Sequence, residues 1–280
     1  MKRVLVTGSG PASTNFMLSL RIAPEDLFLV STDANAHHLF LSPADRTYLV
    51  PPATQKDYLD RLNEVIEEEK IEFVHPQPDI EVLIIGRNRN KVNAITYLPS
   101  TRAIEICQDK FTSYVEWKKK GLPVPKSLLI KGERDVERAV EEIGFPMWIR
   151  ATRGAGGRGS TIAQNERTLR HWVEYWRSRG VKWDFIAQEY LPGRNLAFHS
   201  LWRGGELVTS MARERLEYIY PHLSPSGVTG TPAVQRTIHD ERVNEIATEA
   251  VLAIDPNFTG IACVDLREDR EGVDRESWQS

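Results

Sequence analysis

The stretch RATRGAGGRGS, residues 150–160, carries four glycines and three arginines in eleven positions. Glycine admits backbone conformations and close approaches that a Cβ forbids, so a glycine-rich loop can turn its amide N–H groups onto an anion while arginines neutralise it. Without an anion the clustered guanidinium groups would repel one another. The pattern is not G-x-x-x-x-G-K-[ST], and it lies between two apolar runs, MWIRA and STIA, instead of leading into a helix. A hairpin covering phosphates is the reading; a surface hairpin holding no ligand is the alternative. A second glycine turn, TGSGPAS, follows the first apolar run with Gly8 and Gly10 but with Ser13 where a dinucleotide fingerprint has its third glycine. Asp33, ending the next apolar run, has the place of a ribose-binding acid, which is also the place of an ordinary surface acid.

These residues need strands and helices to hold them. RVLVTGSG and LFLVSTD read as buried parallel strands, STNFMLSLRI as a helix between them, and TQKDYLDRLNEVIEEEK as an amphipathic helix with a Thr54 cap and Tyr58, Leu59, Leu62, Val65 and Ile66 on one stripe. IEFVHPQPD is a third strand. Strands alternating with helices predict a small doubly wound α/β domain over residues 1–105. A helix over 109–120 and the turn-rich GLPVPKSLLI mark a change of organisation. RDVERAVEEIGFP predicts a helix stopped by Gly144 and Pro146. The helix ERTLRHWVEYWRSRG places Trp172 and Trp176 one turn apart, as core residues. FIAQEYL, LAFHSLW and ELVTSMAR read as antiparallel strands with PGRN and RGGE as turns. RVNEIATEAVLAI is a further helix and GIACVDLRED a further strand.

Of the 280 residues, 36 are Lys or Arg and 39 are Asp or Glu, for a formal charge of −3, so the overall charge gives no reason to propose nucleic acid as a partner. No apolar run approaches the roughly 18 residues of a membrane span. MKRVLVTGSG enters a strand pattern without a signal-peptide core, and a cytoplasmic protein is expected. Cys107 and Cys263 lie in no ligand spacing and read as buried free thiols.

Upstream of the glycine loop stands CQDKFTSYVEWKKKGLPVPKS, and downstream stand AQEYLPGRN and CVDLRED. With the strand GFPMWIR, these segments in this order resemble the ATP-grasp superfamily over nearly the whole length, in particular its carbamoyl phosphate synthase large chain and biotin carboxylase-like branch. The resemblance implies a Rossmann-like pre-ATP-grasp domain over 1–105, then a two-lobed α+β ATP-grasp fold. Its small lobe with the loop would cover 106–187, and its large lobe 188–280, incomplete at its C-terminal end. It implies ATP and Mg²⁺ as cofactors. Lys110 and Arg150 would meet the phosphates, Arg150 through a fork that binds two oxygens. The loop with Arg153, Gly154, Gly156 and Gly157 would cover the β- and γ-phosphates. Gln188, Glu189, Tyr190 and Leu191 would face the adenine, Asn195 the ribose, and Asp265 the Mg²⁺. Arg213, Arg215 and Arg236 lie where relatives position the acceptor carboxylate or the transferred phosphate; surface salt bridging explains any one of them equally well.

Relatives add an E-x-N motif on the next strand. Here REDREG is followed by VDRESWQS, in which Glu276 precedes Ser and Trp in a segment that does not alternate like a strand. SGVTGTP stands where carbamoyl phosphate synthases commonly read G-V-H-T-G, which counts against bicarbonate. The resemblance implies an ATP-dependent ligase that activates a small-molecule carboxylate as an acyl phosphate for attack by an amine, with a homodimer by family habit. The alternatives are an ATP-binding module without catalysis, or completed by a partner, and a nicotinamide-dependent reductase using the first domain.

Overall fold

In a computed structural model of the chain, all residues are described except 155, 156, 158, 231, 270–273 and 277–280; the side chains of residues 12 and 274–276 are likewise left aside. The chain divides into two compact units, Met1–Ile104 and Glu105–Ser280.

The first unit runs β1 (Lys2–Thr7), α1 (Pro11–Arg21), β2 (Leu27–Asp33), α2 (Ala36–Leu39), β3 (Arg46–Leu49), α3 (Tyr58–Glu68), β4 (Phe73–Pro76), α4 (Asp79–Arg87) and β5 (Ile95–Thr96), and α5 (Thr101–Cys107) runs on across its end. Its five strands form one parallel sheet in the order β3-β2-β1-β4-β5. The apolar runs that start strands β1, β2 and β4 supply Leu5, Val30 and Val74, which pack with Tyr58, Leu62, Val65 and Ile66 of α3. That is the burial a helix stripe and a strand face require of each other. Helix α3 starts later than a Thr54 cap would place it. Its N-cap is Asp57, which makes no capping side-chain hydrogen bond.

The second unit begins with α6 (Lys110–Lys119), β6 (Ser127–Ile130), α7 (Glu133–Glu142), β7 (Met147–Ala151), β8 (Thr161–Ala163), α8 (Glu166–Ser178) and β9 (Phe185–Glu189). Strands β6-β9-β7-β8 make an antiparallel sheet whose inner face packs against α7 and α8 through Ile130, Val136, Ala139, Ile149, Leu169 and Phe185. Trp172 and Trp176 pack at the border of that core, and Trp172 Nε1 also donates to the Gly159 carbonyl at 2.8 Å, anchoring one arm of the glycine loop.

The remaining elements are β10 (Asn195–Arg203), β11 (Glu206–Tyr218), β12 (Pro232–Ile238), α9 (Glu241–Ile254), β13 (Gly260–Glu268) and β14 (Asp274–Glu276), with the strands in the order β12-β11-β10-β13-β14. Three sequence expectations change here. PGRN does not close a hairpin: β9 and β10 belong to different sheets, and residues 190–194 carry the chain from one to the other. Pro232–Ile238 is a strand that the turn-rich sequence around it concealed. The segment containing Glu276 does pair, with Glu276 opposite Leu266 of β13. The RGGE turn does join β10 to β11.

Candidate functional site

Within the second unit the two sheets line a cleft that opens to solvent, about 680 Å³ with the open solvent included. Strand β7 contributes alternate residues Trp148 and Arg150, because side chains two apart share a face. Trp148 sits opposite Ile162 of β8 in register, and both line the cleft with Leu191 and Leu266. The guanidinium of Arg150 is buried, which pushes its pKa down to about 10. A cation kept out of water attracts an anion far more strongly than a solvated one. Gln188 is also buried, its Nε2 donating to Ser127 Oγ at 2.8 Å, and Glu189, Tyr190 and Leu191 continue along the wall.

On the large sheet, Arg215 donates from Nη2 to Asp265 Oδ1 at 2.5 Å and from Nη1 to Asn195 Oδ1 at 3.3 Å. Asn195 Nδ2 donates in turn to Tyr218 Oη at 2.8 Å. A bulge after Arg215 lets Tyr218 join this face despite its odd spacing. Arg267 Nε donates to the Leu191 carbonyl at 3.0 Å and ties the wall to β13. Burial pushes the Asp265 carboxyl up, opposed by Arg215, Arg150 and Arg213. Its Oδ2 is buried with no hydrogen-bond partner. Beside it, Cys263 Sγ lies 3.5 Å from His199 Nε2. Burial and then the neighbouring arginines push His199 down to about 4, and burial with Asp265 pushes Cys263 up to about 12, so neither is charged at neutral pH.

The glycine loop is held from both sides. Asp109 caps α6 by accepting from Thr112 N at 3.0 Å, and its other oxygen accepts from Arg153 Nε at 3.0 Å. Lys110 Nζ donates to the Gly154 carbonyl at 2.7 Å. Gly157 has a positive φ of 68°, and a Cβ there would run into the Val228 carbonyl oxygen. Ser160 Oγ reaches Ser226 Oγ at 2.9 Å. The loop therefore rests on the segment 224–229 at the cleft margin.

Of the residues singled out in the sequence, Arg150, Gln188, Glu189, Tyr190, Leu191, Asn195 and Asp265 line one cleft. Lys110 holds Gly154 and Asp109 holds Arg153 on one side of the loop, and Gly157 lies against Val228 on the other. Gly156 lies outside the described residues. Arg213 shares the Asp265 face, opposite Ala197 of β10, which is itself opposite Asp265. Arg236 does not join them. It sits opposite Glu214, on the other face of the sheet, and its guanidinium is bound to the Glu214 carboxylate at 2.8 Å. Arg215, named with Arg213 in the sequence, also lines the cleft, bound to Asp265. Trp148, Ile162, Tyr218 and Arg267 were not anticipated; for Trp148 the signal was present, two residues before Arg150 on a strand. In the first unit, Asp33 accepts from Ser9 N at 2.7 Å, Asn35 N at 2.7 Å and His38 Nδ1 at 3.1 Å.

Two sheets thus face each other across a cleft, with a glycine-rich hairpin at its mouth and a buried aspartate on its floor. Residues 107–272 match the model of the ATP-grasp domain family, and the chain belongs to that family. It is 26% identical over 249 residues to the carbamoyl phosphate synthase large chain of Clostridium beijerinckii, an alignment covering 83% of this chain and 22% of that protein. It is 25% identical over 204 residues to the 2-oxoglutarate carboxylase small subunit of Hydrogenobacter thermophilus, covering 68% and 42%. The chain thus spans under half the length of these relatives.

Among solved structures, N5-carboxyaminoimidazole ribonucleotide synthetase from Thermotoga maritima is similar with a TM-score of 0.64 and 22% identity, over 99% of this chain and 67% of that one. The biotin carboxylase domain dimer of Hydrogenobacter thermophilus 2-oxoglutarate carboxylase, solved with MgADP, ADP and bicarbonate, has a TM-score of 0.71 and 19% identity, over 99% and 63%. The fold is mixed α/β with several sheets and is shared with these ATP-grasp proteins.

Proposed function

We propose that the chain is an ATP-dependent ligase that activates a small-molecule carboxylate and passes it to an amine. The observation that carries this reading is the convergence of Arg150, the Gln188–Leu191 wall and Asp265 on one cleft. A carboxylate oxygen attacks the γ-phosphorus of ATP, the bond from that phosphorus to the β–γ bridging oxygen breaks, and ADP leaves. The amine nitrogen then attacks the acyl carbon, the bond from carbon to the phosphate oxygen breaks, phosphate departs and the nitrogen gives up a proton.

No covalent nucleophile from the protein is required, so its work is placement and charge neutralisation. Trp148, Ile162, Leu191 and Leu266 give the adenine an apolar slot, with the backbone of 189–191 along its edge. Asn195 faces the ribose. Arg150 and Lys110 meet the phosphates, and the loop at Arg153–Gly157 covers them. Arg213 receives the acceptor carboxylate. The unsatisfied Oδ2 of Asp265 is the kind of hard oxygen donor that suits magnesium. A magnesium ion held there would offset phosphate charge. In this reading residues 1–105 are a Rossmann-like leading domain, 106–187 and 188–280 the small and large lobes, and the protein a cytoplasmic homodimer acting on small molecules. Among the described residues no helix is long and apolar enough to cross a membrane.

The test is the thermal shift of the full chain with ATP, with ATP plus Mg²⁺ and with NAD. A shift that needs both ATP and Mg²⁺ and disappears in Arg150→Ala is expected, and a shift with NAD alone would reject the reading. A second reading, an ATP-binding module that is non-catalytic or completed by a partner, is favoured by the Arg215 guanidinium already on Asp265 and by the absence, among the described residues, of any group of three or more potential metal-ligating side chains. It gains if ATP shifts melting equally with and without Mg²⁺.

A further inference from the structure

The face of the large sheet that carries Asp265 continues past it in two more rows of side chains. The register places Arg213, Ala197 and Asp265 abreast, then Met211, His199 and Cys263, then Thr209, Leu201 and Ile261. Successive rows lie about 6.8 Å apart, two strand residues each. The first row is charged. The second and third hold no carboxylate, ammonium or guanidinium.

This strip is not an unfilled core. The opposite faces of β10 and β13, with Leu196, Phe198, Trp202 and Val264, are buried. Met211 and Ile261, in contrast, are 43% and 53% exposed. Apolar side chains that stay open to solvent beside a polar cleft suit the uncharged part of a ligand. Methionine in particular adapts its shape to whatever lies on it. Arg213 completes the picture. Arg215 is bound to Asp265 and Arg236 to Glu214, whereas Arg213 makes no ion pair among the described residues and its buried Nε has no hydrogen-bond partner.

We propose that this face selects as acceptor a monocarboxylate with an uncharged carbon chain, its carboxylate on Arg213 and its chain lying over Ala197 and His199 toward Met211 and Cys263. The proposal rests on the ligase reading for its place in the reaction. Its content is the substrate class. A dicarboxylate or an amino-terminated chain of the same length would bring a charge onto the second row, where no oppositely charged side chain pairs with it, at the loss of part of its hydration. Met211, His199 and Cys263 are then specificity residues.

The experiment is calorimetric titration of the full chain, in the presence of MgADP so that no turnover occurs, with three six-carbon probes: hexanoate, adipate and 6-aminohexanoate. Hexanoate is expected to bind at least about tenfold more tightly than either of the others. Arg213→Gln should weaken hexanoate by a similar factor. Met211→Lys, at an exposed position, should turn the ranking toward adipate by about tenfold, while Met211→Gln, also uncharged, keeps hexanoate first; unchanged melting temperatures show that both variants fold. Equal or tighter binding of adipate or 6-aminohexanoate, no binding of hexanoate, or a ranking untouched by Met211→Lys would each overturn the proposal. Failure of the ligase reading has its own signature, loss of the Mg²⁺-dependent ATP shift, which is read without any carboxylate.

Discussion

Both units of the chain bury carboxyl groups, and two of them, Glu81 and Asp265, meet opposite surroundings. Glu81, in the first turn of α4, is buried with Oε2 unpartnered, and burial pushes its pKa up to about 7, helped by the nearby Asp33 charge; no cation acts on it. Asp265 is equally buried, but Arg215, Arg150 and Arg213 all oppose the upward push of burial. A carboxyl without a cation titrates near neutral pH instead of staying fully charged. One ringed by arginines keeps a charge-assisted bond and a spare oxygen. Burial alone therefore does not set the charge of a carboxyl; the neighbours do.

That contrast predicts a large asymmetry in activity. Asp265→Asn should lower ADP formation by about a thousandfold, the scale on which removing transition-state charge stabilisation acts, whereas Glu81→Gln should leave it within about twofold. Comparable losses in a coupled ADP assay would break the comparison.

The next effect is on stability against pH. Glu81 favours its protonated form when folded, so the stability it contributes is complete below about pH 4.5 and is lost as pH rises through about 7. The loss is on the order of 3 kcal/mol. His199 works in the other direction: its folded pKa lies near 4, so its contribution is complete above about 6.5 and is lost as pH falls. Urea titrations from pH 4 to 8, read by hydrogen exchange in peptides of each unit, should show the first unit weakening with rising pH and the second with falling pH. Glu81→Gln and His199→Gln should each flatten only their own slope. The smallest effect belongs to Arg236→Ala. An exposed ion pair is worth about 0–1 kcal/mol, and the melting temperature and ADP formation should both stay close to wild type.

Much of the site could be read from residue types alone, because its parts are local. The hairpin around the glycine loop, the acid–lysine start of α6 and the GFPMWIR strand each declare themselves within a dozen residues. What escaped depends on pairing between distant segments. Arg213 and Arg236 look alike in sequence, and only the register of β11 with β12 shows that one faces Asp265 and the other Glu214. PGRN has hairpin chemistry, yet no turn residue tells which sheet the following strand joins. Strand β12 was hidden because Pro232 opens it and all its residues between Pro232 and Ile238 are exposed, so no apolar alternation marks it. Tyr218 entered the cleft through a bulge, which shifts the parity on which any strand reading depends.

The chain passes from the small sheet to the large one a single time, at residues 190–194. It nevertheless crosses back in packing, since Trp117 of α6 donates to the Ala250 carbonyl of α9 at 3.0 Å. A polypeptide nicked between Pro192 and Gly193 would leave each sheet whole on its own fragment, with α6 as the clasp between them. The second unit is in this sense already divisible into two complementing pieces, and a nucleotide seated in the cleft would touch both.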